Sequence, residues 1–281
     1  MSLLRILVVD GNRAGTRQQQ QAAGGTASGE GYADVLQSLC AGLCCDIVRP
    51  ADEPVEFPHG MSLDSYAGVA VTGSALNIYD TGLHIERQIE LLRAVFAAGI
   101  PCFGSCWGLQ VAVTAAGGLV RANPLGREFG FGRRIVLSAA GRAHAMFIGK
   151  PDVFEAITVH RDAIERLPPA SQELARNEMG LQAAEIRCGR GVFWGVQYHP
   201  EYSYHEIAAT ALRYQQTLIT EGLFRDSEDL SNYVDELRVL HAGPQDLRLT
   251  WRHGLGVAMR DPVMKLAEIS NWLRVQVLSR A

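Results

Sequence analysis

Residues 3–10, LLRILVVD, are Leu, Ile and Val broken only by Arg5 and ended by an acid. A half-exposed strand would alternate apolar with polar. A run that stays apolar suits a strand covered on both faces, the condition inside a parallel sheet. The pattern recurs in CDIVRP (45–50) and in YAGVAVTGS (66–74), which enters a glycine turn. Residues 84–98, HIERQIELLRAVFAA, place Ile85, Ile89, Leu92 and Phe96 on one helical face, with Gly99 as the stop. IPCFGS (100–105) is the next strand and CWGLQVAVTAAGG (106–118) the next helix. Strand and helix in alternation imply an α/β fold, a doubly wound and mostly parallel sheet with helices on both faces. Such sheets bind ligands at the carboxyl ends of their strands.

Between the first strand and the second, GNRAGTRQQQQAAGGTASGEGYADVLQSL is rich in Gly, Gln, Ala and Ser, with apolar periodicity starting only near Tyr32. Residues 12–31 are therefore expected as a long loop over the sheet end, followed by a helix. From Leu119 the texture changes to short runs between turn residues: GGLVRAN, RRIVLS, AITVHRD, QELARNE, LQAAEIRCG and GVFWGVQYHP. These read as a small antiparallel strand region packed alongside the sheet. A helix over 205–222 carries Ile207, Ala211, Tyr214 and Leu218 on one stripe. Residues 1–222 are read as one domain and 223–281 as a helical C-terminal appendage, in which Asp261 and Pro262 open a helix as cap and first residue. Trp251, Arg252, His253 and Trp272 in this tail are expected to pack on the domain rather than to meet a partner.

The formal charge of −4 offers no basic footprint for nucleic acid. No apolar run reaches the roughly 18–20 residues of a membrane helix. The N-terminal MSLLRILVVDGN lacks a signal cleavage site, so the expected location is cytoplasmic. The six cysteines, at 40, 44, 45, 102, 106 and 188, are then expected as reduced thiols. Cys40, Cys44 and Cys45 are read as partly buried thiols on a helix. With no CxxC pair and no nearby histidine pair, no metal site is expected.

Cys106 stands apart. Gly104-Ser105-Cys106-Trp107-Gly108 has the G-x-nucleophile-x-G pattern of a strand-to-helix elbow, with sulfur in place of a serine oxygen. At the helix N-terminus, unpaired N–H groups and the positive end of the dipole favour a thiolate. The Trp107 amide would point at an oxyanion forming beside the sulfur. A base is supplied by GVFWGVQYHPEYS (191–203), where an apolar strand delivers His199, Pro200 ends the ladder and Glu201 follows. Residues two apart in extended chain share a side, so Glu201 can fix the tautomer of His199.

With VTGS at 71–74, GSCWGLQ at 104–110, GREFGFG at 126–132, HRD at 160–162 and GVQYHPE at 195–201 in this order, the chain resembles the class I (triad) glutamine amidotransferases. It is most similar to the glutaminase domain of GMP synthetase and its stand-alone relatives, over about residues 4–222. The resemblance implies Cys106 as nucleophile, His199 as general base and acid, Glu201 as orienter, and Gly73 and Trp107 as oxyanion-hole amides. It also implies Gln110, His160, Asp162, Arg127 and Glu128 near the bound glutamyl group. The implied reaction cleaves the γ-carboxamide of glutamine or a γ-glutamyl amide through a cysteine thioester, with no cofactor. Residues 223–281 are too few for an ATP-pyrophosphatase domain. The expectation is a stand-alone γ-glutamyl amide hydrolase or a subunit that feeds ammonia to a separate synthetase. A catalytically silent binding protein of the same fold is the reading from another class. The sequence is compatible with a homo-oligomer.

Overall fold

The computed structural model describes residues 4–280; Met1 to Leu3, at the start of the first apolar run, and Ala281, at the end of the tail, lie outside it. The first run forms β1 (Arg5–Val9), followed by α1 (Ala14–Ala22), α2 (Ser28–Leu39), β2 (Cys44–Val48) and β3 (Gly68–Val71). Next come α3 (Leu83–Ala98), β4 (Cys102–Ser105), α4 (Trp107–Ala115), β5 (Leu119–Ala122), β6 (Glu128–Leu137) and α5 (Ala139–Ala143). The later strands are β7 (Val153–His160), β8 (Asp162–Arg166), β9 (Ser171–Asn177), β10 (Gly180–Cys188) and β11 (Gly191–Val196). Helices complete the chain: α6 (Tyr204–Arg213), α7 (Gln215–Thr220), α8 (Ser227–Ala242), α9 (Leu247–Arg252), α10 (Val257–Arg260), α11 (Pro262–Lys265) and α12 (Ala267–Trp272).

One nine-stranded sheet, in the order β2-β1-β3-β4-β11-β10-β9-β6-β7, carries the fold. From β2 to β11 all neighbours are parallel, and beyond β11 the pairings turn antiparallel. The antiparallel strands thus continue the main sheet, and only β5 with β8 forms a separate ribbon. The parallel core strands are buried on both faces, as their unbroken apolar composition requires. Leu7, Val9, Val69 and Phe193 pack with α3 and α4 on one side. Ile6, Val8, Phe103 and Trp194 pack with α2 and the end of the tail on the other.

The tail covers the face beneath β3 and β4. Trp272 is fully buried with its ring 5.9 Å from that of Phe103. Trp251, by contrast, is 83% exposed, contrary to the packing expected of it. His253 does meet the domain, its ring 5.7 Å from that of Phe131.

Three local expectations need correction. Residues 12–31 are not one long loop: α1 spans Ala14–Ala22 and α2 starts at Ser28, so the two helices together take up most of the segment. The signal was invisible because α1 is held by polar contacts. Its one buried residue, Gln20, bonds Thr210 at 3.2 Å and Arg213 at 2.9 Å on α6. The clustered cysteines do not share a helix; Cys40 caps α2 while Cys44 and Cys45 lie in β2. The helix expected over 205–222 is broken at Tyr214, which ends α6 and starts α7.

Candidate active site

The sheet delivers Cys106 at the carboxyl end of β4, on the bend into α4. Its backbone is at φ 52°, ψ −102°, a region that non-glycine residues occupy only under constraint, at a cost of about 1–3 kcal/mol. Two hydrogen bonds hold the bend: Cys106 N–H donates to the Val196 carbonyl of β11 at 2.7 Å, and the Cys106 carbonyl accepts from Gln110 N–H at 3.1 Å. The flanking glycines are steric necessities. A Cβ at Gly108 would sit 2.7 Å from the Val71 carbonyl, and one at Gly104 would meet the Gly108 backbone at 3.0 Å. Helix α4 can therefore start against the sheet only with glycine at both places.

His199 follows the end of β11, the strand next to β4, and its N–H donates to the Ile157 carbonyl of β7 at 2.8 Å. Its Nδ1 lies 2.7 Å from Glu201 Oε1; the Cys106 sulfur is near enough to influence the ring's charge, while its thiol donates to the Val159 carbonyl at 3.7 Å. All three groups are nearly inaccessible: Cys106 is 4% exposed, and the side chains of His199 and Glu201 are 3% and 5% exposed. Burial works against a charged imidazole, but the Glu201 carboxylate and then the Cys106 sulfur outweigh it and hold the pKa of His199 above the ordinary value. Tyr202 stacks on the imidazole at 4.1 Å, fixing its plane.

Gly73 lies against the same ring; a Cβ there would be 2.5 Å from His199 Cε1. Among the described residues, neither the Gly73 amide nor the Trp107 amide donates to a protein acceptor. Asn12 sets the Gly73 turn. Its Nδ2 donates to the Gly73 carbonyl at 3.2 Å and to Ser28 Oγ at 2.9 Å, while Oδ1 accepts from Ala75 N–H at 3.0 Å.

Cys106 opens onto a cleft of about 190 Å³ lined by Ser74, Asn77, Gln110, Arg127, His160 and Asp162, among others. Of the substrate-side residues expected from sequence, Gln110, His160, Asp162 and Arg127 line this cleft and Glu128 does not. Glu128 lies behind the wall, its Oε2 2.8 Å from His160 Nε2, with Asn177 and Gln182 donating to its oxygens. The Asp162 carboxylate accepts from Tyr79 O–H at 3.0 Å; burial is the main cause of its raised pKa. Arg127 is pinned to Glu221, which caps the end of α7, at 2.7 Å and lies over the Tyr214 ring. Among the described residues, no three His, Cys, Asp or Glu side chains converge as a metal site requires.

A description of glutamine amidotransferase class-I matches residues 34–215. The chain belongs to the class-I glutamine amidotransferase family. It is 33% identical, over 100% of its length and 96% of the other's, to a γ-glutamyl-L-1-hydroxyisopropylamide hydrolase of a Pseudomonas species. It is 32% identical over 147 residues to the GMP synthase of Syntrophomonas wolfei, of which it spans 26%. In fold, it superimposes on a glutamine amidotransferase of Thermotoga maritima with a TM-score of 0.67, at 16% identity and over 96% and 99% of the two chains. As a class-I amidotransferase the chain is an amide-cleaving enzyme of the glutaminase type.

Sequence reasoning missed several residues of this amidotransferase site. Ser105 and Tyr202 stood beside the nucleophile and the orienting acid, and that adjacency was the available signal. Asn12 followed the first strand end, where such sheets place their ligands. Tyr32, whose hydroxyl is 3.1 Å from Ser105 Oγ across 73 residues, left no local mark.

Proposed function

We propose that the enzyme hydrolyses γ-glutamyl amides of small amines, with Cys106 as nucleophile, His199 as general base and acid, and Glu201 as the group that orients His199. The arrangement of His199 and Glu201 behind Cys106, which itself opens onto a polar cleft, carries the reading. The full-length similarity to a γ-glutamyl-hydroxyisopropylamide hydrolase supports the substrate class. The Cys106 thiolate attacks the γ-carbonyl carbon, and the resulting oxyanion is bound by the Gly73 and Trp107 amides. His199 gives its proton to the nitrogen, the C–N bond breaks and the amine leaves. Water, deprotonated by His199, then cleaves the γ-glutamyl thioester, releasing glutamate and the thiolate.

In this reading Gln110, His160, Arg127 and Asp162 hold the glutamyl group. Arg127 is suited to its carboxylate and Asp162 to its ammonium, while Glu128 acts through His160. The helix pair α6–α7 contributes Tyr214 and Thr217 to the same cleft.

Ammonia supply to a separate synthetase subunit is the second reading, favoured by the similarity to GMP synthases, of which the chain spans only about a quarter. The experiment is a substrate panel with the isolated protein, comparing L-glutamine with γ-glutamyl amides of small alkyl and hydroxyalkyl amines. Unaided turnover with preference for substituted amides supports the hydrolase. Weak turnover of glutamine alone, raised by a partner, supports the second reading.

A further inference from the structure

Backbone after β11 alternates its faces through four residues. His199 and Glu201 turn toward Cys106 and Ser105. Tyr198 and Pro200 turn the other way, and both are held by the C-terminal segment. Tyr198 O–H donates to Glu268 Oε1 at 2.5 Å, and Lys265 Nζ donates to the Pro200 carbonyl at 2.8 Å. Glu268 is 0% exposed, and its carboxylate is neutralised by Lys150 Nζ at 2.9 Å. The Pro200 carbonyl belongs to the peptide group joining Pro200 to Glu201, so Lys265 fixes the link between base and carboxylate.

The two grips rest on a segment that is itself anchored. Asp261 caps α11 by accepting from the Val263 and Met264 amides, and Lys265 N–H donates to the Asp261 carbonyl at 2.9 Å. Trp272, at the end of α12, is buried against Phe103 of β4, the strand that ends at the nucleophile. One segment therefore touches both the strand bearing the sulfur and the turn bearing the imidazole. Burial lowers the pKa of Lys265 to about 8, partly offset by Glu201 and Glu268, with Lys150 adding to the depression.

We propose that the C-terminal segment is a positioning element for catalysis, with Lys265 and Glu268 holding the back of the His199–Glu201 turn so that imidazole and sulfur stay in register. The inference rests on the triad assigned above. Neither residue lines the cleft, so the effect falls on kcat rather than on substrate binding.

The test uses the full-length protein with Lys265→Met, Lys265→Arg and Glu268→Gln. Two activities are read: turnover of γ-glutamyl isopropylamide, and alkylation of Cys106 by iodoacetamide at neutral pH. Lys265→Met is expected to lower kcat about tenfold with KM within about twofold, to slow Cys106 alkylation in parallel, and to leave the melting temperature within a few degrees. Lys265→Arg, which keeps a donor and a charge, should recover most of both rates. Should Lys265→Met fail to fold, Glu268→Gln carries the test, with the same parallel fall expected. Wild-type kcat and alkylation in either soluble variant would overturn the proposal. So would equal losses in Lys265→Met and Lys265→Arg that track unfolding. If the wild-type enzyme ignored γ-glutamyl amides, the proposed substrate would fail, but the alkylation rates would still decide the positioning role.

Discussion

Ser105 donates its hydroxyl hydrogen to Glu201 Oε2 at 2.8 Å, across 96 residues of sequence. The residue before the nucleophile is thereby bonded to the carboxylate behind the base, and Glu201 uses one oxygen for Ser105 and the other for His199. Such a carboxylate cannot rotate without breaking a buried, charge-assisted bond, which is worth about 1.5–3 kcal/mol. Ser105→Ala should therefore free Glu201, lowering kcat by about tenfold at nearly constant KM. Steady-state kinetics on a γ-glutamyl amide check this.

Glu201→Gln removes the charge that holds the His199 pKa up against burial. A raised folded-state pKa gives stability that is full below the unfolded value near 6.5 and fades as pH rises through the folded value. The variant should lose that contribution, so its stability should vary less than the wild type's between neutral and alkaline pH. Activity at neutral pH should fall about 10²-fold yet stay measurable, since sulfur and oxyanion hole remain. Denaturant melts and pH–rate profiles read the two effects separately.

Asn12→Ala releases the turn that carries the Gly73 amide. Acyl transfer forms an oxyanion and alkylation by iodoacetamide does not. The variant should lose about tenfold or more in kcat while Cys106 alkylates at the wild-type rate. A parallel fall in both would assign Asn12 to general folding instead.

Away from the cleft, Glu185 accepts from His144, Trp194 and Arg187 at 2.7–3.0 Å. The His144 bond is the largest cause of its pKa falling from 4.5 to about 2. A depressed carboxylate pKa gives stability present above about 4.5 and lost as pH drops toward 2. Glu185→Gln should remove up to about 3 kcal/mol at neutral pH and flatten the acid limb of the stability curve. Urea titrations across that pH range measure both.

Much of this architecture is legible in the chain because burial writes itself into composition. β1, β3 and β4 are apolar at successive positions, and α3 carries one clean apolar stripe. The elbow around Cys106 was readable from its two glycines, which the close contacts with Val71 and the Gly108 backbone require. What stayed hidden depends on polar or distant partners. Helix α1 has no apolar stripe because Gln20, Arg213 and Thr210 hold it in place. Lys265 reads as an ordinary surface charge until the fold brings Pro200, 65 residues earlier, within 2.8 Å. Glu128 shared a motif with Arg127 yet sits behind the cleft wall, because it opens β6 in register with His160, whereas Arg127 precedes the strand and reaches Glu221.

The central claim is that the amide bond is broken by the sulfur of Cys106. Acid-quench mass spectrometry of the enzyme turning over γ-glutamyl isopropylamide tests it most directly. The account predicts one γ-glutamyl group on the Cys106 peptide, removed by hydroxylamine, and no turnover in Cys106→Ala. Turnover persisting in Cys106→Ala, or a γ-glutamyl group found only on another residue, would contradict it.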